Sequence, residues 1–193
     1  MVPVSIQTSS SHVRHVFIGL AILTVMTIFS GLPGCSSSDT MKSTLARGAA
    51  SEAKKAELLG AIKSLDGEWI QVTPDGPSKI IFKVSSAGST VREIMFPGME
   101  HEMTNMYHMD GDALILTHYC AAGNQPRLKA TQFKGDSIHF TCDSVSNLAT
   151  NESMYMGEMI LTIVNPNTII ETWSHFDKGV KAGTMAFELS RKN

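Results

Sequence analysis

From Asp66 to the C-terminus, apolar and polar residues alternate with a period of two, and turn residues break the alternation about every eight to twelve positions. Successive side chains of a strand point to opposite faces, so such a chain hides its apolar row only by folding an antiparallel sheet over on itself, as a sandwich or a barrel. Strands are predicted at 68–73, 79–85, 90–96, 102–109, 113–120, 127–134, 137–143, 153–164, 168–176 and 183–190. The breaks between them carry Pro74-Asp75-Gly76-Pro77, Ala87-Gly88, Pro97-Gly98, Asp110-Gly111, Gly123-Asn124, Gly135-Asp136, Pro166-Asn167 and Lys178-Gly179. Short strands joined by tight turns favour a meander that closes on itself, because closure removes both sheet edges. Upstream, 49–65 is rich in Ala, Lys, Glu and Leu, and Leu58, Ile62 and Leu65 recur at helical spacing. The expected fold is all-β, an antiparallel up-and-down β-barrel of about ten strands with one short N-terminal amphipathic helix.

The N-terminal third has a different build. Arg14 precedes an apolar run over 16–29, which is short for a permanent membrane span and has the proportions of a signal h-region. The run ends at Leu32-Pro33-Gly34-Cys35, which resembles a bacterial lipobox. The resemblance implies that 1–34 is a lipoprotein signal peptide and that Cys35 becomes the lipidated first residue. Ser36, in place of an aspartate, implies sorting to the outer membrane with the domain facing the periplasm. The small polar stretch 35–48 then reads as a flexible tether, and 49–193 as one barrel domain. The whole-chain net charge of −2 gives no electrostatic reason to expect nucleic acid as a partner.

Gly67-Glu68-Trp69 follows the predicted helix and opens the first strand, and it resembles the G-x-W signature of lipocalins and related calycin barrels. The resemblance implies that Gly67 and Trp69 are structural, with the tryptophan plugging the closed end beneath an arginine just past the last strand. Arg191 stands at the matching place. The stretch YHMDGDALILTHYCAAGNQPR is also similar to a motif of secreted bacterial lipocalin-like domains, a resemblance that implies a fold and no activity.

That stretch, within 102–127, is also where His, Tyr, Cys, Asn, Gln and Arg gather on adjoining short elements. Pairing Cys120 with Arg127 across the loop puts His118 beside Lys129. The interior row is then expected to run from Leu114, Leu116, Thr131, Phe133, Ile138 and Phe140 into His118, Cys120, Arg127, Lys129 and Cys142. Tyr107 joins the row if the Asp110-Gly111 turn has two residues. A greasy barrel with cations at one mouth suits a small apolar or amphipathic ligand with an anionic head, with Asn124 and Gln125 adding donors. For each residue there is a plainer role: His118 satisfied by a backbone carbonyl, Asn124 and Gln125 folding their own loop, and Arg127 pairing with Asp143 or Glu102. Cys120 and Cys142 sit on strands separated by another, too far apart for a disulfide unless the strand end is irregular, and are expected as free buried thiols.

Other chemistries remain as alternatives. No G-x-S-x-G, H-E-x-x-H, P-loop or dinucleotide fingerprint is present, so no catalytic residues are assigned. An enzyme on this barrel would use His118 with Cys120 or Tyr119. No metal site is assigned, since no compact ligand spacing occurs. Copper on the methionines and histidines between Met95 and Met185, or haem on His118 or His175, are the cofactor alternatives. A solid barrel acting through its surface is the last.

Overall fold

The computed structural model describes residues 46, 48–74 and 76–192. The signal peptide, the Cys35 lipidation site and nearly all of the tether expected from the sequence lie outside the described residues. Helix α1 runs over 52–63 and contains a π-helical turn at Lys55–Leu59. It is N-capped by Ser51, whose hydroxyl accepts from the Lys54 amide. Leu58 and Ile62, with Leu65 beyond the helix, are buried, which is the apolar stripe predicted from their spacing, and Leu59 is buried beside them.

The strands follow as β1 (Gly67–Thr73), β2 (Gly76–Ser85), β3 (Thr90–Met95), β4 (Met103–Asp110), β5 (Ala113–Tyr119), β6 (Gln125–Ala130), β7 (Phe133–Lys134), β8 (Ser137–Ser146), β9 (Tyr155–Asn165), β10 (Thr168–Asp177) and β11 (Val180–Arg191). All pairings are antiparallel, in the order β6-β5-β4-β3-β2-β1-β11-β10-β9-β8-β7, and a β6–β8 ladder closes the sheet into a ten-stranded barrel with β7 as a two-residue appendage on β8. The all-β barrel with one preceding helix is therefore as expected.

The predicted strand 127–134 is two strands, broken at Thr131 and Gln132. The β5–β6 loop is shorter than expected, because the Cys120 amide donates to the Asn124 carbonyl and only 121–123 lie between. Leu114 then faces Ala130, Leu116 faces Leu128 and Thr117 faces Arg127. That pairing differs from the expected one by an odd number of residues and so inverts the faces of β6. Leu128 and Ala130 point inward. Arg127 and Lys129 point outward, correcting their expected place at the mouth. At the other hairpin the turn is Gly111-Asp112 and Tyr107 faces Leu116, a shift of two that keeps Tyr107 inside.

Trp69 is fully buried at the closed end. Its Nε1 donates to the Leu65 carbonyl at 2.8 Å, and the Arg191 guanidinium lies over its ring at 4.4 Å. Arg191 in turn donates to the carbonyls of Ser64 and Asp66 at 2.8 Å and of Pro166 at 3.0 Å. One side chain thus ties the end of α1 and the β9–β10 turn over the tryptophan. Gly67, at φ 129°, lets β1 begin there, since a Cβ would stand 3.3 Å from the Arg191 guanidinium. Above this plug the interior is filled, with Ile80, Leu114, Leu116, Leu128, Leu161 and Leu189 each 0% exposed. A solvent-sized void would register as exposure on its lining, so the closed half of the barrel is packed solid.

Arg191→Ala removes three charge-assisted bonds and the ring contact together, and is expected to lower the unfolding free energy by about 3 kcal/mol. Lys192→Ala, which loses one exposed ion pair with Glu68, is expected to stay within about 0.5 kcal/mol. Urea denaturation of the two variants compares them.

Candidate functional site

The barrel interior contains charge. Val91, Glu93 and Met95 share the inner row of β3, and Ile169, Glu171 and Trp173 that of β10. Both glutamates are 0% exposed. They come from opposite walls, since β2, β1 and β11 separate their strands in the sheet, and each carboxyl shifts the proton affinity of the other across the core. Glu93 Oε2 accepts from Asn105 Nδ2 and from Tyr107 Oη, each at 2.7 Å. Glu171 Oε2 accepts from Trp173 Nε1 at 3.2 Å. The two Oε1 atoms have no N–H or hydroxyl donor among the described residues. A protonated carboxyl is the one donor that either group can offer the other.

The proton affinities follow from this arrangement. Burial pushes the Glu93 carboxyl up to about 7, against the pull of its bonds from Asn105, Tyr107 and Glu171. Burial, followed by the negative charge of Glu93, holds Glu171 well above the ordinary range. Glu171 therefore holds its proton more firmly than Glu93, which is the group that accepts from Asn105 and Tyr107. Tyr107 is raised as well, by burial and then by the same two carboxyls, and remains a phenol.

The network ends at His118. Because Asn105 gives its amide nitrogen to Glu93, its oxygen is the acceptor that meets His118 Nδ1 at 2.7 Å. His118 therefore carries its proton on Nδ1 and a lone pair on Nε2. Nε2 has no hydrogen-bond partner among the described residues and is absent from the fully buried unpartnered polar atoms; the residue as a whole is 2% exposed. The ring packs against Trp173 with centroids 4.9 Å apart. Burial lowers the imidazole pKa to about 4, so it is neutral at physiological pH. The site thus presents a fixed, uncharged nitrogen acceptor against an indole, at the open end of the barrel.

The remaining residues expected at the mouth divide. Tyr107 belongs to the network. Asn124 is buried, and its Nδ2 donates to the Met154 carbonyl at 2.8 Å, while Gln125 Nε2 donates to the Gly123 carbonyl at 3.1 Å. Both fold the loop, and Asn147 Nδ2 sews it to the β8–β9 connection through the Gly123 carbonyl at 2.7 Å. Arg127 bridges Asp110 and Asp143 on the outer wall, and Lys129 is exposed there. Cys120 and Cys142 are free thiols as expected, but neither is buried: Cys120 is half-buried and Cys142 exposed, because both stand toward the open end of their strands. The Cys120 sulfur accepts from the Ala122 amide, and no hydrogen bond joins it to His118 among the described residues. Cys142 lines a cleft of about 340 Å³ with Val145, Leu148, Asn151 and Tyr155, and partial burial and Asp143 raise its thiol pKa. Among the described residues, no group of three or more His, Cys, Asp or Glu side chains is placed to hold a metal.

Glu93, Asn105, Glu171 and Trp173 were not anticipated from the sequence. The available signal was parity: each glutamate stands two residues from an apolar neighbour on either side, on the face that its strand buries.

The closed antiparallel ten-strand barrel is consistent with a lipocalin-like fold. No protein-family model matches the chain, and no curated protein matches it by sequence. The functional reading therefore rests on the geometry.

The pair predicts an unusual pH profile. Both carboxyls have folded-state pKa values above the ordinary 4.5, so above that pH the folded state holds more protons than the unfolded one and stability falls as pH rises. His118 acts oppositely, because its folded value near 4 lies below the ordinary 6.5, and its contribution is lost as pH falls through that window. Above about pH 6.5 the carboxyls act alone, at roughly 1.4 kcal/mol per pH unit for each proton retained. Unfolding free energy is expected to fall from pH 6.5 to 8. Glu171→Gln, which keeps a donor toward Glu93, is expected to flatten that slope and to be the more stable form at pH 8.

Proposed function

We propose that this is a lipid-anchored cell-envelope protein with a lipocalin-like barrel that binds a small apolar or amphipathic molecule at its open end, with His118 Nε2 accepting a hydrogen bond from the ligand. The observation that carries the reading is the Glu93–Asn105–His118 chain, which orients the imidazole from behind and leaves its lone pair unengaged beside Trp173. Three buried polar side chains aligned to present one nitrogen are a costly arrangement for a core, and such rear support is how proteins hold histidines that meet ligands.

The surroundings bear on the ligand. The partly exposed Phe187 and Met103 supply an apolar rim, beneath which Trp173 and Met95 are buried. β1 and β11 pair only at Trp69–Arg191 and Ile70–Ser190, so toward the open end they part, with Phe187 and Met185 on the inner row of β11 at the parting. A molecule reaching His118 enters there or through the mouth. Since the deep half is filled, the ligand sits at the end of the barrel, not along its full depth. Since Arg127 and Lys129 face outward, its polar group is a donor such as a hydroxyl or amine, in place of the anionic head expected from the sequence.

The lipid anchor rests on the layout of 1–35. The described chain enters α1 at the closed end, so a tether leading into it would leave the mouth turned away from the point of attachment. In fractionation the native chain is expected with membranes and Cys35→Ser in the soluble fraction.

Native mass spectrometry of protein recovered from its own host tests the binding. The expected result is a discrete adduct on the native protein that is absent from His118→Leu, while Arg127→Ala retains it. A bare mass for the native protein, unchanged after exposure to apolar alcohols and amines, would contradict the reading and favour a solid barrel acting through its surface.

A further inference from the structure

At the end opposite the mouth, a cleft of about 790 Å³ opens between α1 and the β2–β3 and β4–β5 turns, a volume in the range of small-molecule sites. Its floor is apolar, formed by Leu59 and Met109, and small residues along its sides, among them Ala56, Gly60 and Gly88, leave the space open.

The charges around it are unevenly satisfied. Glu52 is held by Lys55 at 2.7 Å, and Asp110 by Arg127 at 2.6 Å. Lys63, on the last turn of α1, makes no ion pair or hydrogen bond among the described residues. Its ammonium is nevertheless not splayed into solvent, for it lies against the β2–β3 turn, where a Cβ on Gly88 would come within 3.2 Å of Nζ. Gly88 has φ +85°, a conformation that also favours the absence of a side chain there. The cleft thus combines an apolar floor with one unpaired cation at its rim.

We propose that this cleft is a second binding site, for an amphiphile with a single anionic head, whose alkyl chain lies on Leu59 and Met109 and whose carboxylate meets Lys63. A compact ammonium accepts a carboxylate as a point charge without demanding two-pronged geometry. The Glu52–Lys55 pair is an exposed one that a competing anion can rearrange at little cost. The two ends of the molecule would then select different chemistry, a donor-bearing ligand at the mouth and an anionic one at the closed end. This inference does not depend on the reading of the mouth.

The test is calorimetric titration of the chain 35–193, carrying Cys35→Ser so that no detergent competes, with dodecanoate and with dodecanol as its uncharged counterpart. One equivalent of dodecanoate is expected to bind, more tightly than dodecanol. Lys63→Gln is expected to weaken it about tenfold, or about 1.4 kcal/mol. Ala56→Phe, at an exposed helical position that fills the cleft, is expected to abolish it, and His118→Leu to leave it unchanged. Circular dichroism confirms that each variant is folded. Absence of saturable dodecanoate binding, equal binding of dodecanol, or loss in His118→Leu with Lys63→Gln unaffected would each overturn the proposal, the last by moving the ligand to the mouth.

Discussion

Two carboxyl groups from opposite walls of the barrel are fully buried in one core, and that burial raises the proton affinity of both. Two carboxylates at that position would repel in a medium that screens poorly, and two carboxylic acids would leave Asn105 and Tyr107 donating to a weaker acceptor. One acid and one anion resolves both difficulties. It makes Glu93 the acceptor, which orients the Asn105 amide, which sets the tautomer of His118 and turns Nε2 outward. The electrostatics of the core and the chemistry offered at the open end are therefore one hydrogen-bonded system. Replacing one carboxyl by a side chain that cannot donate costs more than the pair contributes, because the other group stays buried without a partner.

The two ends are built on different principles. At the closed end Trp69 is plugged by Arg191, whose guanidinium spends its donors on the carbonyls of Ser64, Asp66 and Pro166, and α1 lays Leu58, Leu59 and Ile62 over the strands. At the open end the connections are longer, they are fastened to one another by Asn124 and Asn147, and β1 parts from β11. Packing is complete in the lower barrel, so the open clefts lie toward its ends.

Much of this architecture was legible from periodicity. The alternation from Asp66 onward places the strands to within a few residues, and the spacing of Leu58, Ile62 and Leu65 gives the buried face of the helix. Tyr107 and His118 come out as interior residues because the β4–β5 turn shifted by two, which preserves parity. Arg127 and Lys129 were lost to an odd shift, since the loop after Cys120 is short and β6 stops at Ala130 before β7 begins. Register between strands depends on loop closure and on the β6–β8 ladder that completes the barrel, and neither is written into local alternation. Glu93 and Glu171 each stand on an apolar row. What makes them a pair is barrel closure, which brings together strands far apart along the chain.

The nitrogen resonances of His118 test the central claim most directly. A long-range proton–nitrogen correlation spectrum at pH 7 is predicted to show a neutral ring, with Nδ1 protonated and Nε2 at the shift of an unprotonated nitrogen, and to show the same pattern at pH 5.5. A ring protonated on Nε2, or an imidazolium at pH 7, would mean that Asn105 is not held by Glu93 in the way described and that the open end presents no fixed acceptor.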